Sequence, residues 1–138
     1  MQSEVRALIN ASARPYLRAG LYPYFFAQGK LGMDPIFMAM LRNASIPHRA
    51  RILDLGCGQS MLASLLIAAR RQYQAGIWPR GWPEPPVPSQ LMGIEMNAHR
   101  VNWARTALGP ASQLKAHIPQ KSNSNRRFMR GDNAKASV

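Results

Sequence analysis

The apolar positions in the first third of the chain recur at helical spacing. Residues 3–14 fit a short helix that ends at Pro15, since proline cannot continue one. Asp34-Pro35 predicts the start of a second helix, because aspartate caps helices and proline fits the first turn. Between them, glycines and clustered aromatic residues predict an irregular segment or a broken helix. The aromatic residues are Tyr16, Tyr22, Tyr24, Phe25 and Phe26.

Farther along, short apolar runs alternate with helical patterns. Arg51–Leu55 (RILDL) and Leu91–Glu95 (LMGIE) are predicted strands, and Phe128–Asp132 (FMRGD) reads as the end of a third. Ser60 is predicted to cap a helix that runs to Arg71. Asn97 is predicted to cap another helix, which stops at Gly109-Pro110.

Two stretches predict loops. Residues 72–90 hold five of the eleven prolines and two of the three tryptophans, Trp78 and Trp82, so this segment is predicted to be a loop insertion. Its tryptophans could either pack the loop or contact a partner or substrate. Residues 112–127 are polar and are also predicted to be a loop.

Strands that alternate with helices predict an α/β fold with a parallel sheet. Right-handed crossovers would place the carboxyl ends of all strands at one edge, where ligands bind in such sheets. Only six residues are acidic, and three of them fall at or next to the ends of the proposed strands: Asp54, Glu95 and Asp132. This coincidence predicts a ligand site at that edge.

The first of these acids precedes a glycine turn, Gly56-Cys57-Gly58. Glycine permits backbone angles that other residues avoid and lets a ligand approach the main chain. A nicotinamide dinucleotide site would have a third glycine for close helix packing, but Gln59 is followed here by Ser60 and Met61, so that fingerprint is incomplete. The glycine pair therefore predicts either a turn that borders a ligand or a tight strand-to-helix turn without ligand.

The runs ILDLGCGQS, GIEMNAHRVNWARTAL and FMRGD together resemble the first three motifs of class I S-adenosylmethionine-dependent methyltransferases. The resemblance covers roughly residues 51–132 and implies a Rossmann-like sheet. It implies that Asp54 and the backbone of Gly56, Cys57 and Gly58 face the methionine part of the cofactor. It further implies that Glu95 binds both ribose hydroxyls, that Met96 lies against the adenine and that Asp132 accepts from its amino group.

The resemblance also divides the chain. Residues 1–48 form an amino-terminal helical and aromatic segment, which either covers the cofactor as a lid or packs as core. Residues 49–138 form a partial cofactor-binding domain with the 72–90 insertion. The family has seven strands and this chain offers about three, so we expect a truncated product with an exposed edge on RILDL. Such a product should be marginally stable and prone to aggregate.

The predicted function is methyl transfer from S-adenosyl-L-methionine to a small-molecule acceptor, impaired or lost in a truncated chain. No residue is assigned as catalytic, because methyl transfer mainly needs alignment in a dry site. The net charge of +12 leaves an alternative, a nucleic-acid-binding protein or RNA methyltransferase fragment, although the basic residues are scattered.

The remaining sequence features bear on metal binding and on the cellular compartment. His48, His99 and His117 lack ligand spacing and Cys57 is the single cysteine, so no metal is assigned. No apolar run is long enough to span a bilayer, and the amino terminus does not resemble a secretory signal. We therefore expect a cytoplasmic protein.

Overall fold

The computed structural model describes residues 3–109 and the backbone of residues 115–117. These residues form a mixed α/β structure in which a helical first third precedes a small parallel sheet. The elements in chain order are α1 (Ser3–Ala13), a 3-10 helix (Arg14–Arg18), α2 (Leu21–Met33), α3 (Pro35–Arg42), β1 (Arg51–Leu55), α4 (Met61–Gln74), β2 (Gln90–Ile94), α5 (Ala98–Leu108) and β3 (Lys115–His117).

The sheet has the order β1-β2-β3, and both neighbouring pairs are parallel. Its main part is the five-residue pairing of β1 with β2, in which Asp54 lies beside Gly93 and Leu55 beside Ile94. The two predicted strands are thus confirmed to within one residue, and Glu95 directly follows β2. Both strands point their carboxyl ends toward the same edge.

The third strand of the described sheet, β3, lies in a stretch that was predicted to be a loop. Residues 115–117 pair with β2, so the prediction of a loop across 112–127 is wrong for these three residues. A strand of three residues is too short to show an alternating pattern of apolar and polar positions. It forms because it pairs with β2, and the local sequence does not reveal that pairing. The predicted strand at Phe128–Asp132 lies outside the described residues.

Helix ends follow the sequence in two cases and depart from it in a third. The side chain of Asp34 accepts from Ile36 N at 3.1 Å, and the side chain of Asn97 accepts from the backbone of α5, so both predicted caps are confirmed. Ser60 precedes α4 but makes no side-chain cap. Its φ of 62° places it in the left-handed region, and α4 extends past Arg71 to Gln74.

The aromatic segment is more regular than the sequence predicted. It forms the 3-10 helix and α2, with Gly20 between them at a φ of 125°, a value that L side chains rarely adopt. The segment is therefore a broken helix, one of the two structures expected from its pattern. Tyr16 is fully buried, whereas Tyr22 and Phe25 are exposed.

The core lies where α1, α2 and α4 meet. Its largest fully buried apolar side chains are Leu8, Tyr16, Leu31, Leu41 and Leu65. The insertion joins this core, because Trp78 and Trp82 pack against it and against each other, with ring centroids 5.8 Å apart. The Trp78 Nε1–H also donates to the Pro83 carbonyl at 2.9 Å. These contacts favour the loop-packing interpretation of the tryptophans.

The sheet is covered unevenly. Ile52 packs against the core, but the neighbouring side chains that point to the other face, Leu53 and Leu55, are 57% and 70% exposed. Within the described residues β1 pairs only with β2, so its other edge offers unpaired backbone groups.

No helix in the described part of the chain combines the length and apolar character needed to cross a membrane.

Candidate functional site

The glycine turn after β1 is fixed to the carboxyl end of β2. The backbone N–H groups of Gly56 and Cys57 both donate to the Ile94 carbonyl, at 2.8 and 3.1 Å. Gly56 and Gly58 have φ values of 70° and 59°, in the region that favours glycine. A Cβ built at either glycine would meet nothing within 4 Å, so the turn borders open space that a ligand could enter.

Glu95 joins this turn to the next one. Its Oε2 accepts from the Gly58 N–H at 2.9 Å, and its Oε1 accepts from the Asn97 N–H at 2.8 Å. Arg100 Nη1 lies 4.0 Å from Oε2, and the Glu95 side chain is only 10% exposed. Each carboxylate oxygen has two lone pairs, so one acceptor position remains on each after these bonds.

Asp54 lies near the end of β1 and is half-buried. Its carboxylate makes no hydrogen bond or ion pair with any other described residue, and burial raises its pKa. A charge that is partly desolvated and lacks a protein partner costs stability. Such a group is typical of a site that a ligand completes.

Cys57 is buried in the glycine turn, where its thiol accepts from the Ser60 hydroxyl. Burial raises the pKa of its thiol, and the negative charges of Asp54 and Glu95 raise it further, against a lowering contact from Ser60. The register of the sheet brings the two acids to one edge, since Asp54 pairs with Gly93 and Glu95 directly follows Ile94. A thiol with a raised pKa remains protonated at neutral pH and is a poor nucleophile, so Cys57 acts here as a packing residue.

Gly93 in β2 makes that packing feasible. A Cβ at Gly93 would lie 2.6 Å from Cys57 Sγ and 3.1 Å from Cys57 Cβ. The glycine therefore allows β2 to approach the turn closely. Sequence reasoning did not assign it to the site, although a glycine inside a predicted strand is a known signal of close backbone approach.

Gln59 connects the turn to the amino-terminal helices. Its backbone carbonyl accepts from the Tyr16 hydroxyl at 2.7 Å, and its side-chain Nε2 donates to the Pro23 carbonyl at 2.8 Å. Both Tyr16 and Gln59 are buried. Neither Gln59 nor Arg100 was selected from the sequence. The contacts of Gln59 span 43 and 36 positions, and no motif marks contacts of that range. Arg100 lies five positions after Glu95 and belongs to no recognised motif.

An exposed aromatic surface lies beside this connection. Tyr22 precedes Pro23, and its ring contacts Trp103 of α5 at 5.6 Å between centroids and Phe26 at 6.2 Å. Tyr22 is 67% exposed. We call Tyr22, Phe26 and Trp103 the aromatic surface. It is anchored on one side to the glycine turn through Gln59 and on the other to the helix that follows Glu95.

The predicted site residues thus divide into three groups. Asp54, Gly56, Cys57, Gly58 and Glu95 lie together at the carboxyl ends of β1 and β2. Met96 follows directly and is 80% exposed, so its side chain is accessible from solvent. Asp132 lies outside the described residues. Within the described part of the chain, no group of three or more histidine, cysteine or acidic side chains is arranged to hold a metal ion.

The raised pKa of Asp54 predicts a pH-dependent stabilisation in the Asp54→Asn variant. A pKa above the unfolded value means that the charged carboxylate destabilises the fold at neutral pH, and that this cost disappears as the pH falls below the unfolded pKa of about 4. We therefore expect Asp54→Asn to be more stable than the parent near pH 7, with a smaller difference near pH 3.

Urea unfolding at the two pH values measures this difference. Asp34→Asn is the matched control, because the pKa of Asp34 is lowered by its hydrogen bonds to Lys30 and to the backbone of Ile36. That variant should lose stability at neutral pH. A destabilised Asp54→Asn at pH 7 would show that the Asp54 carboxylate has a protein partner.

Comparisons with protein-family models, with curated proteins and with solved structures found no match.

Proposed function

We propose that this chain binds S-adenosyl-L-methionine at the carboxyl ends of β1 and β2, as part of a class I methyltransferase with a Rossmann-like fold. One observation carries the proposal: the Gly58 N–H of the glycine turn donates directly to the Glu95 carboxylate at the end of the neighbouring strand. That bond aligns a glycine turn bordering open space with an oriented acidic acceptor. A nucleoside linked to a polar chain needs both features.

The first half of the site suits the methionine part of the cofactor. The Asp54 carboxylate has no partner among the described residues and can accept from an ammonium group. The adjacent α4 has no acidic residue in its first turn and no side-chain cap, so its free N–H groups can bind a carboxylate. An acceptor for the ammonium group and donors for the carboxylate together match the two charged groups of an α-amino acid.

The second half suits the adenosine. Glu95 is held by two backbone N–H groups in a fixed orientation and keeps one acceptor position on each oxygen. Two parallel acceptors fit the two hydroxyls of a ribose. The exposed Met96 side chain follows at once and provides an apolar contact for the base. The site would thus use Glu95 both to hold the turn and to select a ribonucleoside.

When bound, the cofactor would supply an electrophilic methyl group on a sulfonium. The chain's own residues would then contribute position rather than covalent chemistry, since alignment accounts for much of the barrier reduction in such a transfer. Gly56 and Gly58 leave room beside the turn, and Cys57 remains a protonated, buried packing group. The described residues include no group that we assign as a nucleophile or a general base.

The acceptor is proposed to be a small molecule with a planar ring. The aromatic surface of Tyr22, Phe26 and Trp103 lies next to the turn and offers faces for stacking. The same surface favours RNA as a second candidate, because exposed aromatic side chains on a chain of net charge +12 can stack bases while basic residues bind phosphates. Salt-dependent retention of the chain on single-stranded RNA distinguishes the two acceptors.

Calorimetric titration with S-adenosylhomocysteine and with NAD tests the cofactor assignment. We expect binding of the first ligand and none of the second. Gly58→Val should abolish binding, because its side chain would enter the open space and its φ of 59° is unfavourable for a β-branched residue.

Gly81→Val is the matched control for that titration. Gly81 has a φ of 82° and an equally open neighbourhood, but it lies in the insertion, away from the turn. The Gly81→Val variant should lose a comparable amount of stability and keep its affinity for S-adenosylhomocysteine. Failure of the parent chain to bind S-adenosylhomocysteine, or preference for NAD, would contradict the proposed function.

A further inference from the structure

A second concave surface lies away from the strand ends. Its cavity, of about 910 Å³, is bordered by α1, the 3-10 helix, the end of α5 and mainly the second half of α4. Because α4 begins at the glycine turn and rises about 1.5 Å per residue, Arg71 lies some 15 Å along the helix from that turn. We call this surface the arginine groove. It takes no part in the proposed function.

The floor of the groove is apolar and its rim is basic. Small or aliphatic residues that are buried or half-buried dominate the floor, among them Ile67, Ala68 and Leu108, beside the buried polar residues Ser64 and Gln72. Three arginines border it, and all three are exposed: Arg14, Arg18 and Arg71. Among the described residues, no aspartate or glutamate lines the groove.

These arginines are free of ion pairs within residues 3–109. The ion pairs in that range join Lys30 to Asp34, Arg70 to Glu84 and Arg100 to Glu95. Arg70 is thus neutralised within the chain, whereas its neighbour Arg71, which faces the groove, is not. Three like charges around an apolar floor repel one another, and an acidic occupant would relieve this repulsion.

We propose that the arginine groove binds an acidic amphipathic helix of a partner protein. An aliphatic floor accepts leucine or isoleucine side chains spaced at i, i+3 or i+4, and i+7, and the rim pairs with aspartate or glutamate on the flanks of that helix. Arginine suits this role because its planar guanidinium group binds carboxylates in a forked geometry. The partner is thus defined by one apolar face bordered by negative charge.

Other occupants fit the same surface less well. Single-stranded nucleic acid needs aromatic faces for its bases, and no lining residue is aromatic. Within residues 3–109 a second copy of this chain could offer few acids. Asp34 and Glu84 are paired and Asp54 and Glu95 lie at the strand ends, which leaves Glu4. The exposed rim leaves the groove too open to enclose a small anionic amphiphile.

The test uses the full chain and a labelled synthetic helical peptide that has leucines at the stated spacing and glutamates on both flanks. Two control peptides carry lysine in place of glutamate or the same residues in shuffled order. Fluorescence anisotropy should show binding of the acidic peptide alone, and high salt should weaken it because the rim charges are exposed.

The charge-reversed pair Arg14→Glu and Arg71→Glu should weaken peptide binding about tenfold or more. The matched control reverses two other exposed arginines, Arg6 and Arg105, which lie on α1 and α5 but do not line the groove. This control has the same net charge and should retain affinity within about twofold. Ala11→Trp adds a large side chain at an exposed lining position without changing charge and should also block binding.

Several results would overturn the proposal. The first is that the acidic peptide does not bind, and the second is that the shuffled peptide binds equally well. The third is that the Arg6 and Arg105 control variant loses as much peptide affinity as the Arg14 and Arg71 variant. Binding of laurate or of an RNA oligonucleotide that depends on Arg14 and Arg71, without peptide binding, would assign the groove to a different ligand. Concentration-dependent dimerisation lost in the same variants would assign it to a second copy. None of these results bears on S-adenosylhomocysteine binding.

Discussion

Gly93→Ala is expected to destabilise the chain by about 3 kcal/mol, the upper range for overpacking a tight interior. The added Cβ would lie 2.6 Å from Cys57 Sγ. Cys57 cannot move away freely, because its N–H donates to the Ile94 carbonyl at 3.1 Å. The strain must therefore open the contact between the glycine turn and β2, which also disturbs the proposed cofactor site.

Urea unfolding followed by far-ultraviolet circular dichroism measures this loss. Gly29→Ala is the control, since a Cβ there meets nothing within 4 Å and alanine favours a helix interior by about 1 kcal/mol. Adding Cys57→Gly to Gly93→Ala removes the opposing side chain and should recover part of the stability, which a double-mutant cycle would show as coupling. Parent-like stability of Gly93→Ala would refute the packing described around Cys57.

Glu95→Ala is expected to weaken S-adenosylhomocysteine binding by roughly 10- to 100-fold, the range for losing hydrogen bonds to a charged group. The same change removes the acceptor of two backbone N–H groups, those of Gly58 and Asn97, and should lower the free energy of unfolding by about 1–3 kcal/mol. Glu95→Gln should behave similarly, since its amide NH₂ would face one of these donors.

Calorimetry at a temperature where all variants remain folded separates affinity from stability. Glu84→Ala is the distant control, because Glu84 forms an exposed ion pair with Arg70. Arg100→Ala is the local control, because its nitrogen is 4.0 Å from the Glu95 carboxylate and should matter little to stability. Unchanged affinity in Glu95→Ala with reduced stability would leave Glu95 as a structural link only, and would remove the ribose assignment.

Much of the local structure could be predicted from the sequence. Asp34-Pro35 and Asn97 identified their helix starts, because capping depends on side-chain chemistry within a few residues. RILDL and LMGIE identified the paired strands, since each is a short apolar run between turn signals. The same local logic failed at Ser60, where the backbone adopts a left-handed conformation and the hydroxyl contacts Cys57 Sγ instead of capping α4.

The site shows the same division. Its acids and glycines were predicted because parallel strands bring their carboxyl ends to one edge, wherever the intervening residues lie. The contacts of Gln59 with Tyr16 and Pro23, across about forty positions, depend on how the amino-terminal helices pack onto the turn. No pattern within either segment records that packing.

The sequence by itself determined the α/β alternation, two strands, most helix starts and the acids at the ends of β1 and β2. These features follow from the periods of helix and strand and from side-chain chemistry over a few residues. Only the tertiary structure decided that Glu95 holds the glycine turn, that Asp54 lacks a partner among the described residues and that three arginines border one groove. Those properties arise from distances between segments remote in the chain, and such distances are set by packing of the whole core.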